Sequence, residues 1–243
     1  MILKQPSKEK SDLILDRIKG LSYTSRDLSH AMRNGLSIIN NAAEVIRMRL
    51  KSEDPKIARC LQVIKEEVQK GEQTLETLSL LDSVTKTLKK FPVRLNEVIE
   101  NALMNFDQEL KDKTIQVIRN FPEFPPLLLD RWQMGRALEA LMKNAVEAME
   151  QGGILELKGR ITNQGFFLEI KDSGCGMDQT DREKVFDPFF STKEKRMGLG
   201  LPIAYAAVKN LDGEMTVESQ PGKGTCVILE IPREAEIREE ENS

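Results

Sequence analysis

The sequence predicts an α+β chain in which an N-terminal antiparallel helical hairpin precedes an α/β sandwich. Three observations carry this expectation. From about Ser11 to Leu50 there is no proline, and apolar residues return every seven positions. A second repeat, beginning at Ile57, alternates four- and three-residue steps. At Phe91-Pro92 the pattern changes to short strands mixed with helices. Sustained heptads signal packed helices, whereas mixed periods signal a sheet with helices laid on it.

In the first helix, Leu21, Leu28, Gly35 and Ala42 share one seam position. Met32, Ile39 and Ile46 share the other, and Leu36, Val45 and Leu50 widen the stripe. Lys51-Ser52-Glu53-Asp54-Pro55 predicts a turn. Asp54 can accept from the free N–H groups of a new helix, and Pro55 suits its first position. The second helix then carries Ile57, Leu61, Ile64, Val68, Gly71, Leu75, Leu78, Asp82 and Thr85. One hairpin cannot cover seams this wide. A twofold dimer forming a four-helix bundle would do so, and a coiled-coil spacer is the simpler alternative. His30 lies off the seam and is expected to face solvent, with Arg33 and Asn34 on the same face. A neutral imidazole there is a plausible nucleophile. Gly35 beside it is either a tolerated bend or a packing notch.

Phe91-Pro92 breaks the helical pattern and marks a boundary, giving a first domain over 1–90, a second over 91–235 and a charged tail over 236–243. In the second domain the pattern predicts a helix from Leu95 to Leu110, a strand from Thr114 to Asn120 and a loop over Phe121 to Pro126. A helix from Asp130 to Met149 should stop at Gly152-Gly153. Ile154 to Ile161 and Phe166 to Lys171 predict a strand pair turning at Asn163-Gln164-Gly165. Leu201 to Leu211 predicts a helix, and Met215 to Ser219 with Thr225 to Ile231 a last strand pair. Glu234 to Ser243 is too charged to fold on its own.

Composition narrows the function classes. Hydrophobic residues make up 40% of the 243 residues and charged residues 31%, enough to bury a core. A net charge of -3 gives no basic footprint and argues against nucleic acid. Three scattered cysteines and one histidine argue against a disulfide framework and a structural zinc site, and fit a reducing compartment. No long uncharged apolar run and no signal-peptide core are present, so a cytoplasmic location is expected, either for a whole protein or for part of a longer one.

Four features of the second domain suit a phosphate-bearing ligand. Asn144 projects an amide whose oxygen can bind a hydrated magnesium ion. Asp172 follows a strand and precedes Gly174 and Gly176, so its carboxylate can accept from an exocyclic amine while the backbone approaches a ring. Met177 to Met197 is long, charged and lysine-bearing, as a mobile lid would be. Gly198-Leu199-Gly200 then opens a helix whose free N–H groups attract phosphate.

From about Ser22 to Pro232 the chain resembles the sensor histidine kinases of two-component systems. His30 to Leu36 resembles the phosphoacceptor box, and Leu141 to Met149 the N box. Asp172 to Met177, Met197 to Ala204 and Gly222 to Thr225 resemble the glycine boxes, and Phe186 to Lys193 the F box. The resemblance implies a dimerisation and phosphotransfer domain followed by a Bergerat-type ATP-binding domain, with ATP and Mg²⁺ as ligands and a homodimer as the working form. It implies that His30 is phosphorylated, that Asn144 binds Mg²⁺ and that Asp172 recognises adenine. Lys193 would reach the phosphates, Gly198, Leu199 and Gly200 would shape the lid hinge, and Thr225 would lie near the base. A response-regulator receiver aspartate would take the phosphoryl group.

Three residues depart from the family pattern. Ala31 stands where an acidic base usually follows the histidine, and Asp27, on the same helix three residues before His30, is the nearest substitute. Arg196 replaces a glycine, and Glu147 stands where many members carry a phosphate-holding base. Asn34 matches a position linked to dephosphorylation of the regulator. A phosphatase-biased or catalytically degenerate scaffold is therefore the alternative reading. A hydrolytic ATPase of the gyrase or Hsp90 type would need a carboxylate one turn before Asn144, where this chain has Ala140, and Glu139 points elsewhere.

Overall fold

A computed structural model describes residues 2–3, 8–50, 54–84, 88–163, 165–193 and 197–232. Side chains at 2–3, 22–28, 30–31, 50, 73 and 76–84 lie outside that description, as does the tail from 233. The expected placements of Asp27, His30, Ala31, Arg196 and the charged tail therefore fall outside the described residues. The chain forms two compact units, one of Asp16–Lys86 and one of Met1–Leu15 with Thr87–Ser243.

The first unit is made of two helices, α1 (Lys8–Leu50), whose first eight residues belong to the other unit, and α2 (Pro55–Val84). Asp54 starts α2 as expected, its Oδ1 accepting from the Lys56 N–H at 2.9 Å. Leu36 of α1 packs against Gly71 of α2 so closely that a Cβ at Gly71 would stand 2.8 Å from the leucine Cδ1. Ala43, Val68 and Leu75 are buried. The seam at Met32, Ile39 and Ile46 is open in the single chain, as a hairpin too narrow to cover it requires, these residues being 47%, 50% and 45% exposed. Two helices cover one another along one side only, and Leu36 and Ala43 take that side.

The second unit centres on a six-stranded sheet. Its strands are β1 (Ile2–Leu3), β3 (Ile115–Asn120), β5 (Gly153–Ile161), β6 (Gly165–Asp172), β7 (Glu214–Gln220) and β8 (Gly224–Pro232). Their order is β1-β7-β8-β6-β5-β3, antiparallel except for β3 with β5. A parallel pair needs a crossover, and α5 (Arg131–Ala148) lies between its strands. Along the sheet, residues alternate by the pleat. Leu155, Leu157, Leu168, Ile170, Met215, Val217, Leu229 and Ile231 are buried. The alternate positions carry groups such as the Glu156–Lys158 ion pair at 3.0 Å and Arg160 stacked 4.4 Å over Phe167. Helix α5 contributes Met134, Leu138, Met142 and Val146 to the core, and α7 (Gly200–Asn210) contributes Ile203, Ala204, Tyr205 and Val208. One face of the sheet is thus apolar and helix-covered while the other stays polar, a two-layer sandwich.

Local differences from the sequence reading have physical causes. The helix expected over Leu95 to Leu110 is two helices, α3 (Leu95–Met104) and α4 (Asp107–Asp112). Asn105 turns the chain between them, its amide donating to Glu139 of α5 at 2.9 Å, and asparagine favours such ends over helix interiors. The proposed boundary at Phe91-Pro92 falls within a short strand, β2 (Phe91–Val93), paired antiparallel with β4 (Leu127–Leu129). Proline is tolerated there because a two-stranded ribbon leaves its outer side unpaired. The N-terminal residues join the second unit because β1 pairs with β7 and the start of α1 packs beside it. Ser11 hydrogen-bonds the Tyr205 hydroxyl, and Lys10 lies 3.5 Å from Asp187. No helix among the described residues is long and apolar enough to cross a membrane.

Candidate functional site

The site is built where β6 ends and α5 and α7 approach. Asp172 closes β6 and is buried. Its Oδ1 accepts from the Gly174 N–H at 2.8 Å and the Thr225 N–H at 3.2 Å. Its Oδ2 accepts from none of the described residues. Burial pushes this carboxyl above its ordinary value, opposed by the two N–H donors and by the charge of Lys193. The result is a desolvated carboxylate with one oxygen fixed and one free to accept.

The backbone around it is tight. Gly176 and Gly224 both adopt positive φ (67° and 82°), and a Cβ on either would stand 1.9 Å from a carbonyl oxygen, of Gln220 and of Asp172 respectively. Only glycine fits such positions. The Cys175 N–H donates to the Ala148 carbonyl at 3.1 Å, tying this loop to the end of α5. Ser219 knits the opposite wall, accepting from the Met177 N–H at 2.8 Å and lying 2.9 Å from the Thr225 hydroxyl.

Asp130 caps α5, accepting from the N–H groups of Trp132 and Gln133. Asn144, four residues before its end, is half-buried beside the N-terminus of α7. A Cβ on Gly200 would meet its amide atoms at 3.6 Å. Gly198 and Leu199 precede α7. The Gly198 carbonyl accepts from the Phe189 N–H at 3.2 Å, and Leu199 is buried. Lys193 reaches across to Glu147 of α5, ammonium to carboxylate 3.4 Å. One unit therefore gathers Asn144, Asp172, Gly174, Gly176, Lys193, Gly198, Leu199, Gly200 and Thr225. Arg33, half-buried, and Asn34, exposed, lie on α1 in the other unit.

The segment expected as a lid is partly core. It contains α6 (Gln179–Lys184), capped by Asp178, whose carboxylate accepts from the Asp181 N–H at 2.8 Å. Arg182 is buried and donates to the Ser219 carbonyl, while Phe186 packs on Tyr205 with centroids 4.9 Å apart. Sequence reasoning missed the wall residues Ser219 and Arg182 and the Lys193–Glu147 pair, for which no local pattern exists. Glu139 points away as expected, held by Arg136 at 2.8 Å and Asn105 at 2.9 Å.

In chemical terms the site offers an acceptor for an amine-bearing ring, an amide oxygen, a cation and a helix N-terminus for an anion. Among the described residues no three His, Cys, Asp or Glu side chains are placed to hold a metal ion. A hydrated Mg²⁺ fits Asn144 only if the ligand's own phosphates complete its shell.

The comparisons agree with this geometry. Residues 129–235 match the family of histidine kinase-, DNA gyrase B- and HSP90-like ATPases. Sporulation kinase C of Bacillus subtilis is 30% identical over 217 residues, which span 87% of this chain and 50% of that protein. The signal transduction histidine-protein kinase AtoS of Escherichia coli is 26% identical over 219 residues, 89% of this chain and 36% of its own length. The chain thus spans half or less of these two relatives. In fold it is similar to full-length ShkA, solved in complex with AMPPNP, with a TM-score of 0.72 at 20% identity over 88% of this chain and 46% of that one. An ATPase domain of this type together with these relatives supports a sensor histidine kinase with an ATP-binding domain.

Proposed function

We propose that the chain is an ATP-dependent protein histidine kinase that phosphorylates His30 and passes the phosphoryl group to an aspartate of a response-regulator receiver domain. The observation that carries this reading is the gathering of Asp172, Asn144, Lys193 and the start of α7 in one unit. The ShkA complex with AMPPNP supports an adenine nucleotide as ligand. In this reading Asp172 Oδ2 accepts from the adenine amine, and the Asp172–Thr225 contact fixes the carboxylate edge-on to the base. Asn144 holds Mg²⁺ through its oxygen, and the start of α7 with Lys193 receives the phosphates. Bound ATP and Mg²⁺ supply an activated phosphoryl donor with its charge partly neutralised.

At His30 an imidazole nitrogen forms a bond to the γ-phosphorus as the bond to the bridging oxygen breaks, and ADP leaves. The imidazole proton needs an acceptor. Ala31 cannot serve, and Asp27 is the proposed substitute, with Arg33 beside the reacting ring. The working form is a homodimer in which two α1–α2 hairpins close a four-helix bundle over the apolar row of Met32, Ile39 and Ile46. The protein acts in the cytoplasm.

Incubation with γ-labelled ATP and Mg²⁺ tests the reading. Acid-labile, alkali-stable label is expected on the parent chain and not on His30→Gln. Ala31 and the exposed Asn34 favour the second reading, a phosphatase-biased or inactive scaffold. Absence of label with nucleotide binding intact would select it. With a phosphorylated receiver domain added, Asn34→Ala should slow its dephosphorylation more than it slows self-labelling, and equal loss of both would point to a folding defect and not to a role of Asn34.

A further inference from the structure

Glu147 and Asn144 lie three residues apart on α5 and so share a face of the helix. The Glu147 side chain is only 11% exposed, and its Oε2 stands 3.4 Å from the Lys193 ammonium, which is 37% exposed. The backbone beneath that ammonium is fixed. The Lys193 N–H donates to the Ser191 hydroxyl at 3.1 Å, and that hydroxyl donates to the Lys193 carbonyl at 3.1 Å. The cation is therefore anchored at its root by a local turn and at its tip by a carboxylate on the opposite wall. An ammonium is a compact point charge, so it can be drawn from one anion to another without a fixed fork geometry.

We propose that Glu147 is a positioning residue that holds Lys193 across the site and competes with the phosphates of the bound nucleotide for that ammonium. This rests on the nucleotide reading above and adds a specificity role to a residue that otherwise only departs from the family pattern. A mostly buried carboxylate beside the phosphate path sets a threshold. A polyphosphate carries enough charge to take Lys193, whereas a nucleoside leaves the Glu147–Lys193 pair intact. The pair discriminates by phosphate charge, and Asp172 discriminates by base.

Direct binding of ATP and of adenosine tests this in the parent chain, Glu147→Gln, Lys193→Met and the double variant. Glutamine keeps the volume and polarity of Glu147, so the fold is retained. Glu147→Gln is expected to bind ATP about two- to fivefold more tightly, the range of one partly exposed ion pair released, with adenosine unchanged. Lys193→Met should weaken ATP and spare adenosine, and the gain from Glu147→Gln should vanish on that background. The same gain on both backgrounds would mean direct repulsion of phosphate and overturn the latch. No gain, or an equal shift for adenosine, would overturn it as well. A parent chain that binds neither ligand would remove the nucleotide reading itself, and the latch with it.

Discussion

Asp172 carries opposed demands. Its burial raises the carboxyl pKa, while Gly174, Thr225 and Lys193 favour the charged form. The folded state therefore holds the Asp172 proton more readily than the unfolded chain. The contribution of this group to stability is fullest below its unfolded value and declines as pH rises through the raised folded value. Binding runs the other way, since an amine donor needs the carboxylate. Asp172→Asn should weaken both ATP and adenosine about 10- to 100-fold, because the new amide sets donor against donor. Its melting temperature should not fall, since the Oδ1 acceptor survives and the buried charge is gone. A melting scan beside a binding titration checks both; unaltered adenosine affinity would remove Asp172 from base recognition. Asp172, Gly174 and Gly176 were legible in the sequence because a carboxylate followed by close-set glycines after a strand is a local pattern. The Lys193–Glu147 pair was not, because 46 residues separate its members.

At the scale of elements, the least expected feature is the attachment of the chain's first residues to the sheet. β1 covers the edge of β7, pairing Ile2 with Glu218 and Leu3 with Val217. The first residues of α1 lie against α7 through Ser11 and Tyr205, and burial pushes the Tyr205 hydroxyl up while the Ser11 bond opposes it. A capped edge strand is protected from pairing with other chains. Ser11→Ala and Tyr205→Phe should each cost about 1 kcal/mol, the usual net worth of one hydrogen bond. Combined they should cost clearly less than the sum, and denaturant unfolding of the four-member cycle reads the coupling. Strict additivity would show that the α1 start is not seated on α7. The helices α1, α2, α5 and α7 were readable because long periodic segments, Asp and Pro starts and glycine stops are all local signals. β1, β2 and β4, of two or three residues each, gave no periodicity to read.

For the whole molecule, the open apolar row on α1 is the feature that asks for a partner. Met32, Ile39 and Ile46 repeat every seven residues and stand about half exposed in the single chain, with Ile64 of α2 38% exposed. Burying the exposed half of such side chains gains roughly 0.7–1.5 kcal/mol each, and two copies of the row contribute together to association. Replacing Ile39 and Ile46 by glutamate should turn a dimer into a monomer in sedimentation while leaving the sheet domain's melting intact. A parent chain that sediments as a monomer would end the four-helix proposal.

Much of this molecule was legible in the sequence alone: two long helices, a mixed second domain, and the glycine, asparagine and aspartate positions of the candidate site. Each of these is set by the period of apolar residues or by the conformational demands of single residue types, and both act within a few residues. Tertiary structure alone decided which apolar row of α1 meets α2, that residues 1–15 join the second compact unit, and that Glu147 holds Lys193. Those outcomes depend on packing and charge contacts between residues far apart in the chain, whose closeness no local pattern encodes.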